Sequence, residues 1–387
     1  MIDPAFNDEE QHLLAQARAL VPALSQRAAT TNAARDVSPE TIAEFHRIGI
    51  LRIIQPHRFG GLELRFSLFS RIVEVLTEGC ASTGWVYAVL GEHQWLLASY
   101  PLQAQIDIWG DNPLAVASSS LAPRATAERS GHGWRLSGSF PFSSGSSHAQ
   151  WAIIGAFLGE AGDPAAIAYL LVPFSDIEVV DDWHVLGLAG TGSRTLRLRD
   201  VFVPDHRSVM LEDLLAGTVP GAAVHTDYPL VRSPRGLMVN YSLPPVAITL
   251  GTRALQIALA TLRGKVSRGV NTLAASEFVQ MTVAEAAVAI NAATLTMYNG
   301  RATAEALVTR GEPIPQEFVL RTRRDMTYAQ HQVKWAVEKL VEVCGAQSVY
   351  DADALAQIRR DLLTVLTHTV ASRQAAFGAW GRWALES

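Results

Sequence analysis

Cysteine is nearly absent from this chain: 387 residues hold two, Cys80 and Cys344. Two thiols cannot build a disulfide framework, so packed cores must hold the fold, and a reducing cytoplasm is the expected compartment. Charge is sparse as well, at 18%, with 37 acids against 32 bases and a net charge of -5. No strongly basic face is available to neutralise phosphates, which argues against nucleic acid as a partner. Low net charge beside 49% hydrophobic residues excludes a disordered chain. The opening residues, MIDPAFNDEEQHLL, place acids where a secretory signal would carry bases and then an apolar run. No uninterrupted apolar stretch reaches the length of a bilayer crossing, so no membrane partner is expected. HExxH and clustered Cys/His spacings are missing, so no metal site is expected. GxxxxGK[ST] and GxSxG are missing too, which removes a phosphate loop and an acyl nucleophile elbow.

What is present divides into helix, strand and helix. Asn7 and Asp8 precede Leu13, Leu14, Ala17, Leu20 and Leu24, an apolar face at helical spacing with an acidic start. Ser38-Pro39-Glu40 opens a second helix, a third begins near Ser67, and a fourth runs from about Ser82 toward Tyr100. Between Leu114 and Pro204 the character changes to short β-branched or alternating runs separated by Gly, Ser, Pro and Asp. Among these are GWRLSGSF, HAQWAIIGAFL, AIAYLLVP, IEVVDDW and RTLRLRDVFVP. They predict an antiparallel, barrel-like β domain. Residues 205–235 read as loop, and after Pro244-Pro245 four helical segments follow near 246–270, 276–309, 316–344 and 354–380. Short loops between them predict an antiparallel bundle. The expected fold is mainly α with a central β domain: a helical domain at 1–113, a β-barrel at 114–218 and a four-helix bundle at 219–387.

Three places carry candidate chemistry. Phe142-Ser143-Ser144-Gly145-Ser146-Ser147 surrounds a glycine with hydroxyls, able to bind a phosphate, a carbonyl or the polar edge of a flavin; the same composition also makes an ordinary turn. His93, in Gly91-Glu92-His93-Gln94-Trp95, is either a proton acceptor or a satisfied core histidine. His368, within Leu366-Thr367-His368-Thr369-Val370 and read as part of the last helix, faces the same choice. Gly187 to Ser193 is glycine-rich, but it lies between strands and so is no dinucleotide fingerprint.

The order of elements and these motifs resemble the acyl-CoA dehydrogenase fold along nearly the whole chain. Gly133-Trp134-Arg135-Leu136-Ser137-Gly138 with Phe142-Ser143-Ser144-Gly145 is similar to that family's flavin-facing strand and loop. Gly187 to Ser193, closing with Asp200-Val201-Phe202-Val203-Pro204, is similar to its second flavin-contacting stretch. Acyl-CoA dehydrogenases commonly carry an Arg-Asp pair followed by a catalytic Glu. Here Arg360-Asp361 is present, but no Glu occurs before Glu386, and His368 and Thr369 stand where that base would fall. The chain thus resembles the flavin-dependent monooxygenases of the same fold, the oxygenase components of two-component systems such as p-hydroxyphenylacetate and steroid-ring phenol hydroxylases and dibenzothiophene monooxygenase.

That resemblance implies FMNH2 or FADH2 delivered by a separate flavin reductase, O2 as co-substrate, a C4a-hydroperoxyflavin, a small aromatic substrate and a homotetramer. It assigns catalytic roles to His93, Ser144 and His368. Trp85, Ser119, Phe142, Ser143, Ser144, Thr191, Gly192, Ser193 and Arg232 become cofactor- or pocket-lining positions. Low charge in these segments favours a neutral or weakly polar aromatic over a CoA ester. The same fold also supports N- or S-oxygenation, acyl-CoA dehydrogenation with a displaced base, or a non-catalytic flavin-binding relative.

Overall fold

The computed structural model describes residues 6–159, 161–264 and 273–386. Helix α1 (Asp8–Ala34) starts with a capping box: Asn7 accepts from the Glu10 backbone N–H, and the Glu10 carboxylate accepts from that of Asn7. Ser38 caps α2 (Pro39–Ile48), with Pro39 in the first turn where its missing N–H is harmless. The helices α3 (Phe66–Gly79) and α4 (Ala81–Ala98) follow. A helix that the sequence reading missed, α5 (Leu102–Trp109), begins directly after Pro101.

Eight strands come next: β1 (Ala117–Ser120), β2 (Thr126–Arg129), β3 (Gly133–Ser143), β4 (Trp151–Leu158), β5 (Ile167–Pro173), β6 (Glu178–Val180), β7 (Arg194–Pro204) and β8 (Ser208–Met210). They form one path in the order β6-β7-β3-β2-β4-β5-β8, with β1 pairing beside β4. Most pairs are antiparallel, but β1 and β2 each run parallel to β4, where the sequence predicted an antiparallel domain throughout. Phe140, Leu136, Ile154, Leu170, Leu196 and Val203 form a small core of their own between the strands.

The stretch read as loop contains α6 (Leu211–Ala216) and, from Arg235, α7 (Arg235–Ser242). The bundle consists of α8 (Pro244–Gly264), α9 (Glu277–Thr309), α10 (Gln316–Cys344), α11 (Ala354–Val365) and α12 (Arg373–Glu386). Of the first expected segment, residues 265–270 lie outside the described residues. The last expected segment, 354–380, is two helices rather than one. The run Thr364-Val365-Leu366-Thr367-His368-Thr369-Val370 is rich in β-branched residues, and the His368 ring accepts the Val370 backbone N–H at 3.2 Å, replacing a helical bond. His368 therefore sits in the break and not in a helix.

By length and composition, Arg235–Arg263 and Glu277–Thr309 would suffice to cross a membrane, with mean hydropathies of 1.3 and 1.4. Polar residues such as Arg253 and Glu285 interrupt both, which is why no continuous apolar run is visible in the sequence. Over half of the first stretch is buried within the fold, whereas α9 exposes Phe278, Met281, Val288 and Leu295 at helical spacing.

Candidate active site

Helix α4 is buried on nearly every side. Its polar residues must therefore find partners inside the protein, since an unpaired buried polar group is expensive. Trp85, Val89, Glu92 and His93 fall on one stripe by the 3.6-residue period and line a cavity of about 330 Å³ between α4, the strands and the bundle. Of the expected site residues, Trp85, His93, Ser119, Phe142, Ser144, Thr191, Ser193 and His368 share this cavity.

His93 is 4% exposed, and its Nδ1 lies 2.6 Å from the Ala117 carbonyl oxygen. A carbonyl only accepts, so Nδ1 carries the proton. Nε2, 3.1 Å from Ser119 Oγ, is then the lone-pair atom and accepts from that hydroxyl. Burial, reinforced by the charge of Arg235 and opposed by the Ala117 bond, lowers its pKa to about 4. His368 has the opposite tautomer. Its Nδ1 accepts from Val370, leaving the proton on Nε2, and its ring meets Trp85 edge-on at 5.6 Å. Burial, with a smaller contribution from Arg235, lowers its pKa to about 4 as well.

The hydroxyls of Ser144, Ser193 and Thr191 form a chain whose direction is fixed at its end. Thr191 donates to the Leu188 carbonyl at 2.8 Å, so it must accept from Ser193 at 2.7 Å. Ser193 has then used its proton and must accept from Ser144, also at 2.7 Å. Ser144 in turn accepts from the indole N–H of Trp85 at 3.1 Å. Its proton is committed, one lone pair is filled, and one acceptor position is left on the cavity wall.

The backbone shapes this wall. A register shift in β3 between Phe140 and Ser143 leaves Phe142 at φ +68°, a left-handed conformation that a phenylalanine seldom adopts. Its ring, 63% exposed, stands edge-on to Trp183 at 6.2 Å, and both line the cavity. Gly187 packs against α11 so closely that a Cβ there would lie 2.1 Å from the Arg360 carbonyl oxygen. Next to it, the buried Asp361 carboxylate accepts the Leu188 backbone N–H at 2.6 Å, which ties the 187–193 turn to the bundle. Burial outweighs that bond and raises the Asp361 pKa to about 6.

Three expected positions fall outside the cavity wall. Ser143 lies behind it, bonded to Ser118 at 2.8 Å, and Gly192 contributes backbone at φ +52°. Arg232 is exposed and reaches the Ala222 and Thr226 carbonyls, because Ser233 and Pro234 turn the chain inward only after it. The arginines on the wall are Arg124 and Arg235, which the sequence reading left out together with Glu92, since none of the three belongs to a recognisable motif.

A helical layer, a central sheet and a helical bundle meeting at a cavity lined by serine and histidine define a flavoprotein fold. Models of the acyl-CoA dehydrogenase N-terminal domain and C-terminal domain match residues 7–106 and 244–373. The chain belongs to the flavin-dependent monooxygenases of this fold, as an oxygenase component. Its relatives include the flavin-dependent monooxygenase oxygenase subunit HsaA of Rhodococcus jostii (strain RHA1), 31% identical over 94% of this chain and 95% of that protein. The FADH(2)-dependent resorcinol hydroxylase oxygenase component of Rhizobium sp. (strain MTP-10005) is 37% identical, over 79% of this chain and 76% of that one. The crystal structure of 3-HSA hydroxylase from Rhodococcus sp. RHA1 superposes with a TM-score of 0.91 at 30% identity, covering 98% of both chains.

Proposed function

We propose that this chain takes FMNH2 or FADH2 from a separate flavin reductase and, with O2, hydroxylates a small phenol- or indole-like aromatic. The observation that carries the reading is the pairing of opposite histidine tautomers within one cavity, an acceptor at His93 and a donor at His368, beside a serine that can only accept. The cavity volume falls within the range of small-molecule sites, and the open acceptor on Ser144 fits a ring N–H. Bound reduced flavin would supply the activation of O2.

The chain's own residues supply the rest. Ser144, with its proton committed to Ser193, would hold reduced flavin by accepting a ring N–H that the oxidised ring lacks, so the hydroxyl chain would favour the reduced form. His368 would offer its Nε2–H to bound flavin and, with a pKa near 4, stays neutral at pH 7. Ser119, its own proton given to His93 Nε2, would receive the substrate O–H or N–H on its oxygen, with His93 standing behind it. A phenol near pKa 10 facing an imidazole near 4 is separated from it by about six units, roughly 8 kcal/mol, too much for full deprotonation at rest. His93 would therefore take a proton, relayed through the Ser119 hydroxyl, only as charge builds on the ring during attack. Phe142 and Trp183 shield the site from water.

Within the same reading, the chain is organised as domains 1–113, 114–218 and 219–387, works in the cytoplasm, and assembles as a homotetramer through the apolar stripe of α9. Anaerobic protein mixed with reduced flavin and then oxygen in a stopped-flow cell tests the function. A long-lived C4a-adduct whose decay quickens with a phenol is the expected result. Immediate appearance of oxidised flavin, unaffected by any aromatic, would sink it.

A further inference from the structure

The corner between α1 and α2 reaches both segments that carry the hydroxyl chain. Asn32, in the last turn of α1, accepts the Gly190 backbone N–H at 3.3 Å and the Ser82 hydroxyl at 3.1 Å. Asp36, in the corner itself, makes the stronger tie. Its Oδ1 accepts from the Ser147 hydroxyl at 2.8 Å and lies 3.2 Å from His148 Nε2, on the loop that carries Ser144. Its Oδ2 accepts from Arg194 at 2.8 Å, the residue that follows Ser193. The carboxylate also crowds the turn between them: a Cβ on Gly192, at φ +52°, would come within 3.1 Å of Oδ1. The His148 and Arg194 side chains are largely buried, so these contacts are shielded from water. Burial pushes the Asp36 pKa up, but its contacts with His148, Arg194 and Ser147 outweigh burial and hold the carboxyl below its usual range.

Ser144 and Ser193 lie on separate segments, so the 2.7 Å bond between them depends on how those segments are held against each other. Two bonds join the segments directly, from the Gly145 N–H to the Thr191 carbonyl at 2.9 Å and from the Ser146 hydroxyl to the Gly192 carbonyl at 3.2 Å. Asp36 grips both from a third element. We propose that Asp36 is a positioning residue that keeps Ser144 and Ser193 in register, so that the Ser144 proton stays committed and its oxygen stays an acceptor toward the cavity. This rests on the reading above, in which that oxygen meets a ring N–H of reduced flavin. None of Asp36, Ser147, His148 and Arg194 lines the cavity, so the cluster acts on a bound flavin only through the hydroxyls that it places. Without the carboxylate, Arg194 keeps only its 3.3 Å contact with Asp181, and the Ser144 loop loses its tie to the α1–α2 corner. A Ser144 released from Ser193 donates as readily as it accepts, and so no longer tells a reduced ring from an oxidised one.

The test is anaerobic calorimetry of the full-length protein with FMN and FAD, each oxidised and dithionite-reduced, read as the ratio of reduced to oxidised affinity. Asp36→Ala should lower that ratio by about three- to tenfold, the worth of one hydrogen bond. Introduced into Ser144→Ala, the same substitution should change the ratio by less than about twofold, because the group it acts through is already gone. An equal drop in both backgrounds would overturn the proposal. So would an equal loss of reduced and oxidised flavin in Asp36→Ala, which is what a merely structural residue would give. Should Asp36→Ala not fold, Ser147→Ala with His148→Ala removes the loop side of the contact and carries the same prediction. A ratio that Ser144→Ala itself leaves unchanged would instead overturn the role given to Ser144, and this proposal with it.

Discussion

Ser144 has one proton, and Ser193 takes it. The consequence is testable at the level of two hydroxyls. If Ser144 accepts from the flavin as proposed, Ser144→Ala should divert turnover from hydroxylated product to H2O2, lowering the productive fraction by about 10- to 100-fold. Ser193→Ala leaves Ser144 in place but frees its proton, so a smaller loss, nearer tenfold, is expected. Quantifying product and peroxide together distinguishes the two variants, and equal coupling in both would show that the direction of the chain does not matter.

The histidines make a second prediction at this scale. With pKa values near 4 in the folded protein, His93 and His368 should leave no inflection near pH 6.5 in the rate profile. A clear limb at 6.5 that vanishes in His93→Gln would contradict it. Stability follows the same shift. A folded pKa below the unfolded 6.5 means that the contribution is fully present above pH 6.5 and lost as pH falls toward about 4, up to roughly 3 kcal/mol for His93. Urea unfolding at pH 7 and pH 5 should show this loss in the parent and less of it in His93→Gln.

At the scale of elements, the 187–193 turn is held between the sheet and α11 by a contact that admits no side chain and by one buried carboxylate. Gly187→Ala forces a methyl group against the Arg360 carbonyl, and a loss of about 1–3 kcal/mol in unfolding free energy is expected. Asp361→Asn keeps an acceptor for the Leu188 N–H and should be milder than Asp361→Ala, which leaves that donor buried and unpaired. Both substitutions act on the turn that carries Thr191 and Ser193, so weaker flavin binding should accompany the lower stability.

At the scale of the molecule, α9 presents Phe278, Met281, Val288 and Leu295 along one face. Such a stripe is larger than the scattered apolar residues of an ordinary surface and suits burial against a second copy. Placing charge in it, as in Met281→Glu with Val288→Glu, should yield species smaller than the proposed tetramer in analytical ultracentrifugation while the helical circular dichroism signal is kept. A parent protein that sediments as a monomer would rule the assembly out.

The sequence by itself determined the helix-sheet-helix order, the caps at Asn7 and Ser38, and the family, because periodicity, turn chemistry and the Ser144 and Gly187–Ser193 motifs are local and survive in one dimension. It also named part of the cavity wall, with His93, Ser144 and His368 among it. It named Arg232, which lies outside the cavity, passed over Arg124 and Arg235, and ran one helix through His368. Each of these depends on where a chain turns relative to elements far away in sequence. Hydroxyl direction and histidine tautomer were decided only by tertiary structure. A proton's position is set by the partner across the cavity: Ala117 for His93, Val370 for His368 and Leu188 for Thr191. Only folding brings His93, Ser144 and His368 to one wall.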